Sequence, residues 1–372
     1  MKRFSIDSIH PEPEIVEQAA AILRGGGTVA FPTETVYGLG GNALDPEAIA
    51  RIYAAKGRPS FNPLIVHCAD TEAARSLAAE WTEEAEQLAR IFWPGPLTLV
   101  VRKREVVPDT VTAGLPNVAL RVPAHPVAAA LLRAAGVPIA APSANRYTEL
   151  SPTTAAHVEK SLGGRINALL DGGPTRVGLE STVVDLSGDE PVLLRPGLIS
   201  ATDLETALGR SLLSPKEFSG DAPRPAPGMV RRHYAPRAPL FLIPGDDIRG
   251  NAQDGFSWLR QTTGDPERDV LTSALRAAAE RGERVAVLLS GGEERITGRP
   301  VTGSEDHVTG GNIAVEVIRM PLDPATYGSE LYAVLHRLDE EGYGVVLVEQ
   351  LPLTADWAAV RDRLERASDR GD

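Results

Sequence analysis

The sequence predicts an α/β protein of two domains: an N-terminal domain with a mixed sheet and a smaller C-terminal three-layer domain with a parallel sheet, joined by a proline-rich linker. Three observations carry this. The chain has 372 residues, more than one ordinary core supports. Short apolar runs alternate with amphipathic stretches through both halves. Between residues 214 and 239, six prolines (215, 223, 225, 227, 236 and 239) exclude a regular helix or central strand. The expected division is therefore 1–210, a linker over 211–239, and 240–372.

Composition narrows the class. A hydrophobic content of 42% and a charged content of 24% are those of a globular protein in water. The net charge of −12 argues against nucleic-acid binding by general electrostatics, which rests on Lys and Arg contacts to phosphate, so no strong direct nucleic-acid binding is expected. The single Cys68 can form no internal disulfide, in keeping with a reducing compartment. No stretch at the start has signal-peptide character, and no apolar run nears the ~20 residues of a membrane span. A cytoplasmic chain that engages no membrane is the expectation.

Residues 14–24 (EIVEQAAAILR) predict an amphipathic helix closed by Gly25, Gly26 and Gly27. Val29 to Phe31 then predicts a strand that stops at Pro32. A small-residue loop follows, with Thr33, Glu34, Thr35 and Tyr37 among Gly38, Gly40 and Gly41. Asp45 as N-cap, Pro46 at the first helical position and the apolar face of Ala48, Ile49, Ile52 and Tyr53 predict the next helix. It ends near Lys56, because Gly57 accepts a left-handed cap and Pro59 and Pro63 block continuation. Lys56 and Arg58 are thus expected at an irregular, partly exposed turn. Two cations on a stiff turn suit a polyanion such as phosphate; alternatively, Lys56 only complements the helix dipole.

Leu64 to Cys68 (LIVHC) reads as a buried strand carrying His67, either a general base or a packing residue. A helix over 72–79, another after Thr82 with Glu83 and Glu84 in its first turn, and strands over 97–101 and 118–122 follow. Arg121, inside the last of these, either reaches solvent from an edge or faces an anion, since an unpaired buried guanidinium is expensive. Residues 138–145 (PIAAPSAN) predict a strand running into Pro142, Ser143 and Asn145, short polar side chains at a carboxyl end, where ligands of open α/β sheets sit. A helix over 153–162, a strand over 168–171, and a hairpin of 181–186 with 191–194 lead to a helix signalled by a capping box from Thr202 to Glu205. The hairpin makes the sheet mixed.

Within the linker, Met229 to Tyr234 (MVRRHY) is too apolar, basic and aromatic for a plain spacer. Beyond it, apolar runs at 240–243, 285–289, 313–320 and 345–348 alternate with helical stretches near 266–280, 330–341 and 355–366, the pattern of a small Rossmann-like parallel unit. No glycine-rich phosphate loop follows any of these strands, so no nucleotide function is read from them. The polar, Gly-rich stretch 290–311 is expected to be a loop. The chain has no Cys pair, no H-E-x-x-H and no G-x-S-x-G, which argues against zinc sites and the commonest hydrolase elbow.

Lys56-Gly57-Arg58 with Ser143-Ala144-Asn145, the PTETVYGLG segment at 32–40, and Glu180-Ser181-Thr182 followed by Arg195-Pro196-Gly197 together resemble the YrdC-type threonylcarbamoyl-AMP synthase family in its long, two-domain form. The resemblance is dense over the first two hundred residues, continues through PAPGMVRRHYAP at 225–236, and thins beyond. It implies a YrdC-like twisted mixed sheet in the N-terminal domain. It also implies a nucleotidyltransferase that condenses L-threonine, bicarbonate and ATP to L-threonylcarbamoyl-AMP with release of pyrophosphate. Lys56 and Arg58 would be catalytic, and Lys56, Arg58, Asn62, Asn117, Ser143, Asn145, Ser151, Arg195 and Tyr234 would bind ATP. Thr35, His67, Arg121, Ala141 and Ser181 would hold L-threonine, Arg121 pairing its carboxylate. Mg²⁺ would arrive on the ATP phosphates rather than in a side-chain cage, and the linker would form a strap over the site. The product would pass to downstream machinery that modifies a tRNA adenosine beside the anticodon. Two rivals stand beside this reading. A non-catalytic RNA-binding module using Lys56, Arg58 and Arg121 is disfavoured by overall acidity and the lack of aromatic stacking motifs. A carbamoyl-adenylating relative in metallocentre maturation would bring Cys-rich zinc motifs that this chain lacks.

Overall fold

The computed structural model describes residues 1–214, 233–250, 266–291 and 314–368. Its contacts divide the chain into two compact units, one of Met1–Tyr147 and Ser151–Val230, the other of Thr148–Leu150 and Arg231–Asp372. The expected linker spans 211–239. Most of that linker, including Met229 to Arg232, and most of the expected 290–311 loop lie outside the described residues.

The first unit begins β1 (Lys2–Ser5), α1 (Pro13–Arg24), β2 (Val29–Pro32), β3 (Tyr37–Asn42), α2 (Pro46–Lys56), β4 (Ile65–His67), α3 (Thr71–Arg75) and α4 (Glu83–Phe92). It continues β5 (Leu97–Arg102), α5 (Asp109–Thr112), β6 (Asn117–Arg121), α6 (Pro126–Ala135), β7 (Ile139–Ala140), α7 (Ala155–Leu162), β8 (Ala168–Asp171), β9 (Thr182–Asp185), β10 (Val192–Arg195) and α8 (Ala201–Leu208). Ten strands form one sheet in the order β1-β8-β2-β3-β7-β4-β6-β5-β9-β10. It is mixed: β4–β6 and β5–β9 run parallel, β2–β3, β4–β7, β5–β6 and β9–β10 antiparallel.

The period-two alternation of strand side chains sorts this sheet into two faces. On one, Ala30, Leu39, Val66, Leu99, Leu120 and Val184 pack with Ile49, Ile52, Leu88, Val158 and Leu204 from α2, α4, α7 and α8. On the other, Val29, Phe31, Ile139 and Leu170 pack with Val16, Leu23, Val127 and Leu131 from α1 and α6. That second helical layer covers only part of its face. Farther along, the cluster of Ile65, Val100, Ala119, Val183 and Leu194 contains strand residues alone. His67 and Arg121 stand two residues beyond Ile65 and Ala119 on β4 and β6, so the same face carries them.

Several elements depart from the sequence reading. The expected glycine loop is largely strand β3, paired in antiparallel register with β2. Its glycines serve close packing, since a Cβ at Gly40 would lie 2.7 Å from Ile139 and 2.8 Å from Phe31. The helix expected over 72–79 ends at Arg75, and the capping box uses Ser200 and Asp203, two residues earlier than expected at its start. β1, α5 and α6 were not foreseen.

The second unit runs β11 (Leu240–Ile243), α9 (Gly245–Gly250), α10 (Pro266–Glu280), β12 (Arg284–Ser290), β13 (Val315–Met320), α11 (Pro324–Glu340), β14 (Tyr343–Glu349) and α12 (Ala358–Ser368). Its four strands are all parallel in the order β11-β14-β12-β13, as expected from their continuous apolar runs. Val285, Val287, Leu289, Val345 and Leu347 pack on Leu271, Leu275 and Ala278 of α10. The alternate strand residues turn to the opposite face, where α11 and α12 pack on β14 and β11. α11 starts earlier than expected, capped by the Asp323 side chain with Pro324 at its first turn.

Gly197, just past β10 in the first unit, is closely approached by backbone. A Cβ there would meet the Thr182 amide nitrogen, sit 2.7 Å from Thr182 Oγ1 and 2.8 Å from the Ser181 carbonyl carbon. Backbone cannot yield as a flexible side chain can, so Gly197→Ala is expected to lose about 1–3 kcal/mol of stability. An unchanged denaturation midpoint would show that the 195–197 turn is free to shift.

Candidate active site

Arg121 ends β6, in register with His67 of the parallel neighbour β4. β6 lies between β4 and β5, so the edge alternative for Arg121 fails. The guanidinium is 4% exposed and does face an anion, but one belonging to the protein: Nη2 donates to Glu34 Oε1 at 2.7 Å, and Nε to the Gly95 carbonyl at 3.3 Å. The other Glu34 oxygen accepts from the Ala124 amide at 3.1 Å. Arg121 Nη1 donates to nothing among the described residues.

Glu34 sits in the β2–β3 turn. There the Thr33 hydroxyl donates to the Val36 carbonyl at 2.6 Å, so Thr35 is the donor in the 2.7 Å contact between the two threonine hydroxyls. Thr35 is fully buried. His67 is buried too, its ring 6.2 Å from Phe31 at an interplanar angle of 86°, and its Nδ1 has no partner among the described residues. Burial, and then the positive charge of Arg121, push its imidazole down to about 3. His67 is therefore neutral near pH 7, suited to a hydrogen bond or a packing role rather than to carrying charge. Ala141, the next predicted contact, is buried with its amide bonded to the Ile65 carbonyl at 2.9 Å.

A second polar group gathers at β9 and β10. Ser181 Oγ lies 2.8 Å from Thr98 Oγ1, while Arg195 Nε donates to the Ser181 carbonyl at 3.0 Å and Nη2 to its hydroxyl at 3.1 Å. Nearby in sequence, the buried Ser151 hydroxyl donates to Glu180 Oε1 at 2.5 Å. Asn117 stands on the Arg121 face of β6 but four residues away, about 13 Å along the strand, bonded to Ser187 Oγ at 2.8 Å.

A third group surrounds the end of α2, where Gly57 takes the expected left-handed cap at φ 62°. Lys56 Nζ donates to the Ser143 carbonyl at 2.6 Å and to that of Asn145 at 2.5 Å. Arg58 donates to the carbonyls of Asn62 at 3.3 Å and Pro63 at 3.1 Å, and Asn62 Nδ2 to the Tyr147 hydroxyl at 3.1 Å. Asn145 is buried and donates to the Arg146 carbonyl at 2.9 Å. Lys56 and Arg58 are buried, 2% and 7% exposed, and not at a partly exposed turn. The carbonyls of Ser143 and Asn145 offset the desolvation of Lys56, and those of Asn62 and Pro63 that of Arg58. The carboxyl-end rule for open parallel sheets also selects no edge here, because β7 runs antiparallel to β4 and sets its end beside the start of that strand.

Tyr234 belongs to the other unit. It adopts φ 58° and is buried, with the Arg363 guanidinium 5.2 Å from its ring centroid and Tyr332 at 6.0 Å. Glu34, Thr98 and Glu180 were not anticipated as site residues. Glu34 had a signal: it is the one charged residue between Arg24 and Asp45. No three His, Cys, Asp or Glu side chains converge on a metal-sized site among the described residues.

A family model described as Telomere recombination (Sua5, YciO and YrdC) matches residues 21–197, and one described as Threonylcarbamoyl-AMP synthase, C-terminal domain, matches residues 199–369. The threonylcarbamoyl-AMP synthase of Pyrococcus abyssi is 41% identical, over 94% of this chain and 93% of its own. The chain belongs to the threonylcarbamoyl-AMP synthase family. The synthase of Bacillus subtilis is also 41% identical, over 96% and 93% of the two chains. The solved structure of P. abyssi Sua5 complexed with L-threonine superimposes with a TM-score of 0.82 at 39% identity, covering 99% of this chain and 98% of that one. Membership of this family accords with the two-unit α/β architecture described above.

The depressed His67 carries a stability consequence. Between the ordinary 6.5 and about 3, the unfolded chain takes up a proton that folded His67 refuses. Stability therefore rises with pH across that window and is lost as pH falls through it. Relative to His67→Gln, the wild-type chain is expected to lose up to about 1.4 kcal/mol per pH unit there, measured by chemical denaturation. A difference that does not vary with pH would contradict a buried neutral imidazole.

Proposed function

We propose that this chain condenses L-threonine, bicarbonate and ATP to L-threonylcarbamoyl-AMP, releasing pyrophosphate and water. The observation that carries the reading is Arg121, a buried guanidinium with one nitrogen uncommitted among the described residues, on a sheet face lined there by strand residues. A guanidinium so held suits the carboxylate of an amino acid, and the P. abyssi relative was solved with L-threonine.

In this reading Arg121, Thr35, His67, Ala141 and Ser181 bind threonine. Its amine and bicarbonate form a carbamate with loss of water, and a carbamate oxygen then displaces pyrophosphate from the α-phosphorus of ATP. Lys56 and Arg58 act as the catalytic cations, and Ser143, Asn145, Asn62, Asn117, Ser151 and Arg195 position the nucleotide. Positioning and charge neutralisation suffice for such a transfer, and no covalent enzyme intermediate is needed. Carbamates and mixed anhydrides hydrolyse readily, so the site must exclude water. Tyr234 is carried as a further nucleotide contact on the family resemblance of the 225–236 segment.

Mg²⁺ is proposed to come with ATP, held by phosphate oxygens and water and lowering the charge of the triphosphate. The product is proposed to serve downstream tRNA threonylcarbamoylation in the cytoplasm. No described helix is long and apolar enough to cross a membrane.

Pyrophosphate release should require all three substrates, falling to background when threonine, bicarbonate or ATP is omitted in turn. Undiminished release without threonine or bicarbonate would overturn the assignment.

A further inference from the structure

We propose that Glu34 is a positioning residue for threonine, acting through Arg121; the proposal rests on the reading of Arg121 given above. Glu34 and Arg121 side chains are 5% and 4% exposed, so both charges are essentially out of water. A buried ion pair is a poor device for stability, because apolar residues of similar volume usually serve as well. What it supplies is geometry.

Glu34 divides its carboxylate between two elements. Oε1 holds Arg121 Nη2 at 2.7 Å, and Oε2 holds the Ala124 amide at 3.1 Å, just before α6. Its own carbonyl accepts from the Val177 amide at 2.8 Å, and that of Thr35 from Gly178 at 3.1 Å. The β2–β3 turn bearing Thr35, the end of β6 bearing Arg121, and the approach to Glu180 and Ser181 are thereby joined at one residue. A guanidinium is a rigid planar fork. With Nη2 fixed by Glu34 and Nε by Gly95, the direction of Nη1 is set before any ligand arrives, and little ordering remains to be done on binding.

The test is a double-mutant cycle on the full-length enzyme, with steady-state kinetics for threonine and for ATP and calorimetric titration of L-threonine. Glu34→Gln keeps size and loses the charge. It is expected to raise the KM for threonine roughly 10- to 100-fold, with the KM for ATP changing less than about twofold. Arg121→Met should show a threonine defect at least as large. In the Arg121→Met background, Glu34→Gln should add less than about twofold, since its effect runs through the missing guanidinium. The Glu34→Leu, Arg121→Met double variant removes both buried charges and guards against loss of fold in the single variants.

Equal losses for threonine and ATP, or effects of the two substitutions that multiply, would overturn the positioning role. So would a folded Glu34→Gln enzyme with normal threonine affinity. Failure of the wild-type enzyme to bind threonine would instead overturn the function on which the proposal rests.

Discussion

A carboxylate and a guanidinium taken out of water can remain charged only where each finds hydrogen bonds, and Glu34 and Arg121 meet that condition through one another, Gly95 and Ala124. The constraint reaches outward. Arg121 can stand inside β6 because Glu34 comes to it from the β2–β3 turn, and that turn holds its shape through Thr33 and Thr35. The helices α1 and α6 cover only part of this sheet face. Had they covered all of it, Arg121 and His67 would lie in an apolar layer.

The same physics governs the end of α2. Lys56 and Arg58 are buried, and each gives its protons to main-chain carbonyls of a neighbouring segment. Such contacts to neutral carbonyls are weaker than those of a carboxylate pair. On the proposed function, a triphosphate arriving there would meet donors already held in place, the preorganisation that electrostatic catalysis exploits. Arg121 is held instead by the Glu34 carboxylate.

How much of this was legible in sequence depended on whether the signal was local. Asp45, Pro46, Lys56 and Gly57 mark α2 because caps and helix stops act within a few residues, and the structure keeps each in that role. The parallel sheet of the second unit was legible from the continuous apolar runs of β12 and β14. β3 was not, because Gly38, Gly40 and Gly41 read as chain breakers until the close approach of Phe31 and Ile139 is known. α6 was missed for a different reason: from Pro126 to Leu132 it has no polar residue, so no amphipathic period announces it. Lys56, Arg58 and Arg121 were picked out as candidates, but their burial was not legible. It depends on carbonyls and a carboxylate brought up by turns and loops, those of Ser143, Asn145 and Glu34 from far along the chain, and only the family resemblance assigned these residues a purpose.

The central claim is chemical: threonine and bicarbonate are joined and activated on one protein. It is tested most directly by supplying carbon-13 bicarbonate with L-threonine and ATP and analysing the nucleotide products by mass spectrometry. The mechanism requires an adenylate bearing the threonylcarbamoyl group, heavier by one mass unit than the product made from ordinary bicarbonate. AMP or ADP alone, or an adenylate that carries no label, would contradict it.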